Sequence, residues 1–153
     1  MFARLSTSAP DWDQALAALR SALAQTPHPA RLQHALSWFY SASQNEIEAC
    51  IETIQDLNDL TRSRINETLV KRYRQICRDV HRLTRKELPR VASSLVAEYR
   101  DLDTVRHTLT RIENNSYEAL SYFNAFVSKP SPQRQVTAVR KLIGFSRSLG
   151  AWI

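Results

Sequence analysis

Basic side chains recur at helical spacing in the middle of this 153-residue chain. At about 100° per residue, six of them fall within an arc of about 80°. These six are Arg64, Lys71, Arg74, Arg78, Arg82 and Arg85. The planar fork of an arginine fits a carboxylate or a phosphate with two hydrogen bonds at once. The spacing therefore predicts one helix face that binds an anionic partner.

The charge of the whole chain is concentrated in the same stretch. Residues 62–90 have a net charge of +7, whereas residues 1–61 have −4 and residues 91–153 have +3. An acidic protein, a nucleic acid and a lipid surface are all open as partners for such a stretch. The alternative is a solvated helix surface that pairs partly with the acidic segment in front of it.

Residues that could carry catalysis or bind a metal are scarce. The chain has no GxSxG, no HExxH, no CxxC pair, and only two glycines with which to build a phosphate-binding loop. His81, beside the basic stripe, is interpreted as solvated or structural. Cys50 and Cys77 would lie about 40 Å apart on a continuous helix, and we interpret them as ordinary buried thiols. We expect no enzyme activity, no metal site and no cofactor of the protein's own.

The elements that must position the basic stripe are predicted to be helices throughout. No segment alternates with period two, and the prolines stand where helices begin. A first helix is expected from near Ser8 and Pro10. A second is expected over residues 30–42, after a break at residues 27–29. The inward residues of these two helices would be Trp12, Leu16, Leu19, Leu23, Leu32, Leu36 and Phe39. No uncharged apolar run approaches about 18 residues, so no transmembrane helix is expected.

The basic stripe itself belongs to an amphipathic helix that we expect to start near Ser63, after a join at residues 58–63 capped by Thr61 or Ser63. Its apolar arc consists of Ile65, Leu69, Tyr73, Ile76, Val80 and Leu83. A turn at residues 88–89 would start the next helix with Pro89 in its first turn. Val91, Leu95, Tyr99 and Leu102 would form the apolar stripe of that helix. A further break is expected either at residues 101–103 or at residues 114–116. A final helix is expected after Pro132, running toward Gly144.

A short constellation in this region resembles a known family. Residues 70–78 read VKRYRQICR, and residues 98–100 read EYR. The chain resembles the LYR-motif proteins, small mitochondrial three-helix proteins with Leu-Tyr-Arg in the first helix and an aromatic–Arg pair near the end of the second. Tyr73 and Arg74 match the first pair, Arg78 matches a later arginine, and Tyr99 with Arg100 matches the distal pair. The chain departs from the family at Arg72, where the family has leucine.

The resemblance implies a partner and a set of contact residues. LYR-motif proteins commonly bind the acidic surface of the mitochondrial acyl carrier protein and receive the acyl chain of its 4′-phosphopantetheine between their helices. The implied docking residues are Lys71, Tyr73, Arg74, Arg78, Arg82, Tyr99 and Arg100. The implied acyl-chain lining is Ile76, Val80 and Leu95, which could equally be ordinary core. The cofactor, acyl-4′-phosphopantetheine, would belong to the partner.

The resemblance also implies a domain organisation and a location. We expect an all-α protein with an N-terminal helical extension over residues 1–61, an antiparallel three-helix LYR-type bundle over residues 62–128, and a C-terminal helix and tail over residues 129–153. The protein would lie in the mitochondrion, on the matrix side or at the matrix face of the inner membrane. The first ten residues, with one arginine and three hydroxyls, faintly resemble a mitochondrial presequence.

Three functions remain open from the sequence. The first is a non-catalytic LYR-type adaptor that joins acyl carrier protein to a larger complex, such as a respiratory complex or ATP synthase, as an accessory subunit or assembly factor. The second is a basic helical nucleic-acid-binding protein, such as a mitochondrial ribosome component. Against it, Tyr73 lies on the apolar arc, so no aromatic platform for stacking bases is evident. The third is a purely structural subunit with a solvated basic face.

Overall fold

The described residues of the chain form five long helices. A computed structural model describes residues 2–25, 28–60 and 64–153, with side chains from residue 11 onward. The helices are α1 (Phe2–Ala24), α2 (Pro29–Gln55), α3 (Glu67–Arg82), α4 (Leu102–Ser128) and α5 (Pro132–Gly150). Within these ranges there is no β-strand, only an isolated bridge between Ala97 and Arg100. The predicted all-α fold class is confirmed.

The helices pack around a shared hydrophobic core. Helix α5 packs against α4 and α2, α1 packs against α2, and α3 packs against α4 and more lightly against α2. The largest buried side chains include Trp12, Phe39, Tyr40, Phe123, Phe126, Phe145 and Trp152. These residues come from all three segments of the predicted domain organisation, so the segments contribute to the same core.

The first two helices are longer than predicted. Helix α1 begins at Phe2 rather than near Ser8 and Pro10, and it continues through the proline at the loss of a backbone hydrogen bond. Helix α2 does not end near residue 42 but continues to Gln55. No glycine or proline interrupts this stretch, and buried side chains such as Ile47 and Ile54 continue the inward face. The predicted break at residues 27–29 is confirmed by the start of α2 at Pro29.

Helix α3 starts later than predicted. Its N-cap is Asn66, whose side-chain oxygen accepts a hydrogen bond of 2.7 Å from the backbone N–H of Thr68. The predicted caps Thr61 and Ser63 lie outside the described residues, and the expected helix start near Ser63 is wrong. An asparagine oxygen satisfies one of the free N–H groups of the first turn as well as a hydroxyl does.

The end of α3 widens in front of a proline. Residues Leu83–Glu87 form a π-helical turn, which closes with a hydrogen bond from the backbone N–H of Leu88 to the carbonyl of Leu83. Pro89 has no N–H, and in a regular helix its ring would clash with the carbonyl four residues earlier. The wider turn accommodates that ring while Leu88 stays fully buried.

The helix predicted to begin at Pro89 is not formed. A single helical turn (Leu88–Arg90) leads into a 3₁₀ turn (Ala92–Leu95) and then into the bridge between Ala97 and Arg100. The predicted apolar stripe is split, because Leu95 is fully buried whereas Tyr99 is 90% exposed. The described part of residues 62–128 thus contains two long helices, α3 and α4, and the three-helix LYR-type arrangement is not confirmed.

The remaining helix boundaries, those of α4 and α5, lie in the C-terminal half of the chain. Asp101 caps α4 by accepting a hydrogen bond from the backbone N–H of Thr104, so the break lies at residues 101–103, and the helix is continuous through residues 114–116. Ser131 caps α5 in the same way, with Pro132 in the first turn. Helix α5 passes through Gly144 and ends at Gly150, beyond the predicted end.

Candidate functional site

The outer side of α3 and of the π-helical turn after it forms a basic face, which we define as Lys71, Arg78, Arg82 and Arg85. All four side chains are exposed. Arg82 lies 3.7 Å from the carboxylate of Asp79, which also lies 4.0 Å from Arg20 of α1. The other three form no ion pair with any residue that the structure describes. As far as the described residues go, Lys71, Arg78 and Arg85 are therefore unpaired and can contact an external anion.

Arg74 lies at the edge of this face and is partly occupied. Its Nε donates a hydrogen bond of 2.6 Å to Oδ1 of Asn124 on α4, and the side chain is half-buried. The bond orients the guanidinium and joins α3 to α4. The fold therefore restricts the reach of Arg74, one of the predicted docking residues.

Arg72, the departure from the LYR pattern, points to the opposite edge of α3 and interacts inside the molecule. Its guanidinium lies 3.0 Å from the carboxylate of Asp13 and 3.4 Å from that of Glu46. It also lies 4.9 Å from the ring centroid of Trp12, a cation–π distance. The basic stretch therefore does pair with the acidic N-terminal segment, through the ion pairs of Arg72 with Asp13 and Glu46.

Tyr73 is a core residue. It is 4% exposed, its ring meets Phe123 edge-to-face at 6.2 Å, and its hydroxyl lies 3.4 Å from that of Thr53. Burial raises the pKa of this tyrosine above its ordinary value. The side chain joins α2, α3 and α4 rather than lying on the basic face.

The remaining residues implied by the LYR resemblance are spread over different environments. Ile76, Val80 and Leu95 are fully buried in the core. Tyr99 is exposed beyond the end of α3. Arg100 donates a hydrogen bond to the carbonyl of Trp152, and its guanidinium lies 4.4 Å from the centroid of that indole. In the distal Tyr-Arg pair, Tyr99 thus points to solvent, whereas Arg100 contacts Trp152 in the turn after α5.

A pocket opens beside the start of α3, between the connection that precedes this helix and the end of α4. We call it the α3–α4 pocket. Its volume is about 590 Å³. Its apolar lining is Leu57, Leu60, Ile65, Val70, Phe126 and Val127, and its charged lining is Arg64, Glu67, Lys71 and Arg74. The sequence placed Arg64, Lys71 and Arg74 on one stripe, but the apolar contribution of α4 could not be read from α3 alone.

A second recess, of about 410 Å³, lies between the C-terminal end of α3 with the π-helical turn after it and the middle of α4, where His81 and Arg85 face Tyr117. Tyr117 is 64% exposed, and its ring lies 6.0 Å from that of His81. Nδ1 of His81 lies 3.1 Å from both the carbonyl of Glu113 and the hydroxyl of Ser116. An exposed aromatic ring beside the basic face is a feature that the sequence analysis missed, because Tyr117 lies 32 residues from Arg85 in the chain.

The two cysteines are free thiols inside the core. Burial raises the pKa of Cys77 to about 12 and also raises the pKa of Cys50 above its ordinary value. In the described ranges, no group of three or more His, Cys, Asp or Glu side chains is arranged to hold a metal ion. Among the helices described, none is both long and apolar enough to cross a membrane.

Comparisons with known proteins add no relative. No protein-family model, no curated protein and no solved structure matches the chain.

Proposed function

We propose that the protein is a non-catalytic adaptor that binds an acidic protein through the basic face of α3. The observation that carries this proposal is the exposure of Lys71, Arg78 and Arg85 without an ion-pair partner among the described residues. These residues extend over fourteen positions, or about 21 Å at helical rise. A row of that length matches the side of an acidic helix, and charge complementarity would set the orientation and the rate of association.

The specific partner that the LYR resemblance suggests is mitochondrial acyl carrier protein. Under this hypothesis the chain acts on the matrix side of the mitochondrion, as an accessory subunit or assembly factor of a larger complex. The partner would bring its own acyl-4′-phosphopantetheine. Because Ile76, Val80 and Leu95 are fully buried, an acyl chain that reached them would have to displace their core neighbours. The proposal therefore relies on the surface contact.

A paired charge reversal tests this proposal. Arg78→Glu with Arg85→Glu should weaken binding of acylated acyl carrier protein by roughly a hundredfold, because two attractive contacts become repulsive. Arg106→Glu with Arg111→Glu on α4 changes the net charge equally at two exposed positions outside the basic face and should leave the affinity within about twofold. Binding would be measured by isothermal titration calorimetry, and folding by circular dichroism. Unchanged affinity in the first pair would exclude this face as the interface.

Single-stranded nucleic acid is a second candidate, and one observation favours it. Tyr117 offers an exposed ring next to His81 and Arg85, and bases stack on such rings beside basic side chains. Glu113 and Glu118 line the same recess, and their negative charges would repel the phosphates of a nucleic acid. If this candidate is correct, affinity for an oligonucleotide should fall steeply with salt and should also fall on Tyr117→Ala. Tight carrier binding with no oligonucleotide binding would reject it.

A further inference from the structure

The α3–α4 pocket has the size and the wall chemistry of a small-molecule site. Its volume of about 590 Å³ lies within the range of about 300–1,000 Å³ that is typical of ligand pockets. Ile65 and Val70 supply apolar wall from the α3 side, and Phe126 with Val127 supply it from α4. Ile76, Val80 and Leu95 are not among the lining residues, so this pocket is separate from the acyl-chain lining that the LYR resemblance implies.

The charges at the pocket favour one sign of ligand. Among the described lining residues, Arg64, Lys71 and Arg74 exceed Glu67 by two positive charges. Neither Arg64 nor Lys71 has an ion-pair partner among the described residues, and the hydrogen bond to Asn124 fixes the guanidinium of Arg74 through Nε alone. The first turn of α3 also lies at the pocket, so the positive end of the helix dipole adds to the same field.

We propose that the α3–α4 pocket binds a small amphipathic carboxylate, a ligand with one carboxylate and a compact apolar body. The carboxylate lies among Arg64, Lys71 and Arg74, where an arginine can hold both of its oxygens. The apolar body lies against Ile65, Val70 and Phe126, where burial of its surface contributes about 25 cal/mol per Å². This site goes beyond the proposed adaptor function and requires no protein partner.

Three probes of equal chain length separate the carboxylate from the chain. Octanoate, octanol and octylammonium would each be titrated into the 15N-labelled full-length protein. Octanoate should shift the amide signals of Val70 and Val127 in a saturable manner. Octanol should bind roughly tenfold or more weakly, because it lacks the charge, and octylammonium should not compete. Equal binding of octanol and octanoate, or shifts confined to another part of the protein, would overturn the proposal.

Variants test the residues of the site. Arg64→Gln with Lys71→Gln should weaken octanoate binding by roughly tenfold or more, whereas Glu67→Gln should strengthen it by removing the opposing carboxylate. Val127→Trp should abolish binding by filling the pocket without a change of charge. Arg111 lies about 22 Å along α4 from Phe126, so Arg111→Gln is the control and should leave the affinity for octanoate unchanged. If the double variant bound octanoate as tightly as the control, the site would be wrong. A failure of octanoate to saturate would equally refute it.

Discussion

Arg72 and Arg78 lie on different sides of α3 and therefore make different contacts. Arg72 has a side chain only 17% exposed and compensates Glu46, whose side chain is 7% exposed. Arg78 is exposed, and its Nε reaches only the carbonyl of Arg74 on its own helix. A count of basic residues treats the two alike. Their neighbours divide them into an internal charge pair and an external contact.

The first prediction concerns Arg72. Arg72→Ala should lower the free energy of unfolding by about 2–3 kcal/mol, because it leaves the carboxylate of Glu46 buried without a counter-charge and uncovers the ring of Trp12. Arg78→Ala, the matched exposed variant, should change it by less than about 0.5 kcal/mol. Urea unfolding followed by tryptophan fluorescence measures both values. Equal stabilities of the two variants would show that the internal pair contributes nothing.

At the scale of elements, α3 buries a wider arc than its sequence indicates. At 100° per residue the six residues of the predicted apolar arc span about 80°, and the buried Val70 and Cys77 extend the arc to about 140°. Asp79, also buried, lies just beyond the other edge of the arc. The reason is that α3 contacts both α4 and α2, so two neighbours cover it rather than one. Arg74 and Arg72 lie at the two edges of this wider arc, which explains why each is drawn into an internal contact.

The second prediction concerns the start of this helix. Asn66→Ala should cost about 1 kcal/mol of stability, because the N–H of Thr68 loses its partner. Asn66→Asp keeps an acceptor at the same place and adds a favourable charge at the positive end of the helix dipole, so it should match or exceed the parent stability. Thermal denaturation followed by circular dichroism distinguishes the two. An equal loss in both variants would contradict the capping role.

The sequence predicts most helices here but misplaces several of their boundaries. The breaks near residues 27–29, at Asp101 and at Ser131 follow from proline and capping chemistry that is local to each position. The segment after Pro89 could not be predicted in this way, because its hydrophobic spacing fits a helix as well as it fits the observed turns. Only tertiary contacts, such as those of Arg100 with Trp152, distinguish the two. The α3–α4 pocket was equally hidden, since Val70 is the one apolar lining residue given above that belongs to α3, and the others come from α4 and the preceding connection.

At the scale of the whole molecule, two cysteine thiols and two tyrosine hydroxyls are buried in one core. Cys50 of α2 and Tyr73 and Cys77 of α3 all lie in this core, and the hydroxyl of Tyr40 bonds to that of Thr84 at 2.8 Å. Burial raises the pKa of each of these groups. The folded state therefore holds the protons of these groups more tightly than the unfolded state does.

The third prediction is a loss of stability at alkaline pH. An unfolded thiol ionises near its ordinary pKa of 9.0, whereas Cys77 in the folded protein ionises near 12. The contribution of this thiol is complete below about pH 9 and is lost as the pH rises toward 12, since only the unfolded state then releases the proton. Urea midpoints at pH 7, 9 and 10.5 measure the decline. In Cys50→Ala with Cys77→Ala the decline should be smaller, and an identical decline would assign it to other groups.

The buried indoles of Trp12 and Trp152 give the protein two internal fluorescence probes. A guanidinium lies over Trp12 at the junction of α1, α2 and α3, and another lies over Trp152 beside α2 and the turn that precedes α4. Each ring is almost wholly shielded from water, so its emission should shift to longer wavelength when its own junction opens. With Trp38→Phe in the background, variants that retain only one of these indoles would report the two junctions separately. Coincident transitions would identify a single cooperative unit, and separate transitions would identify the junction that opens first.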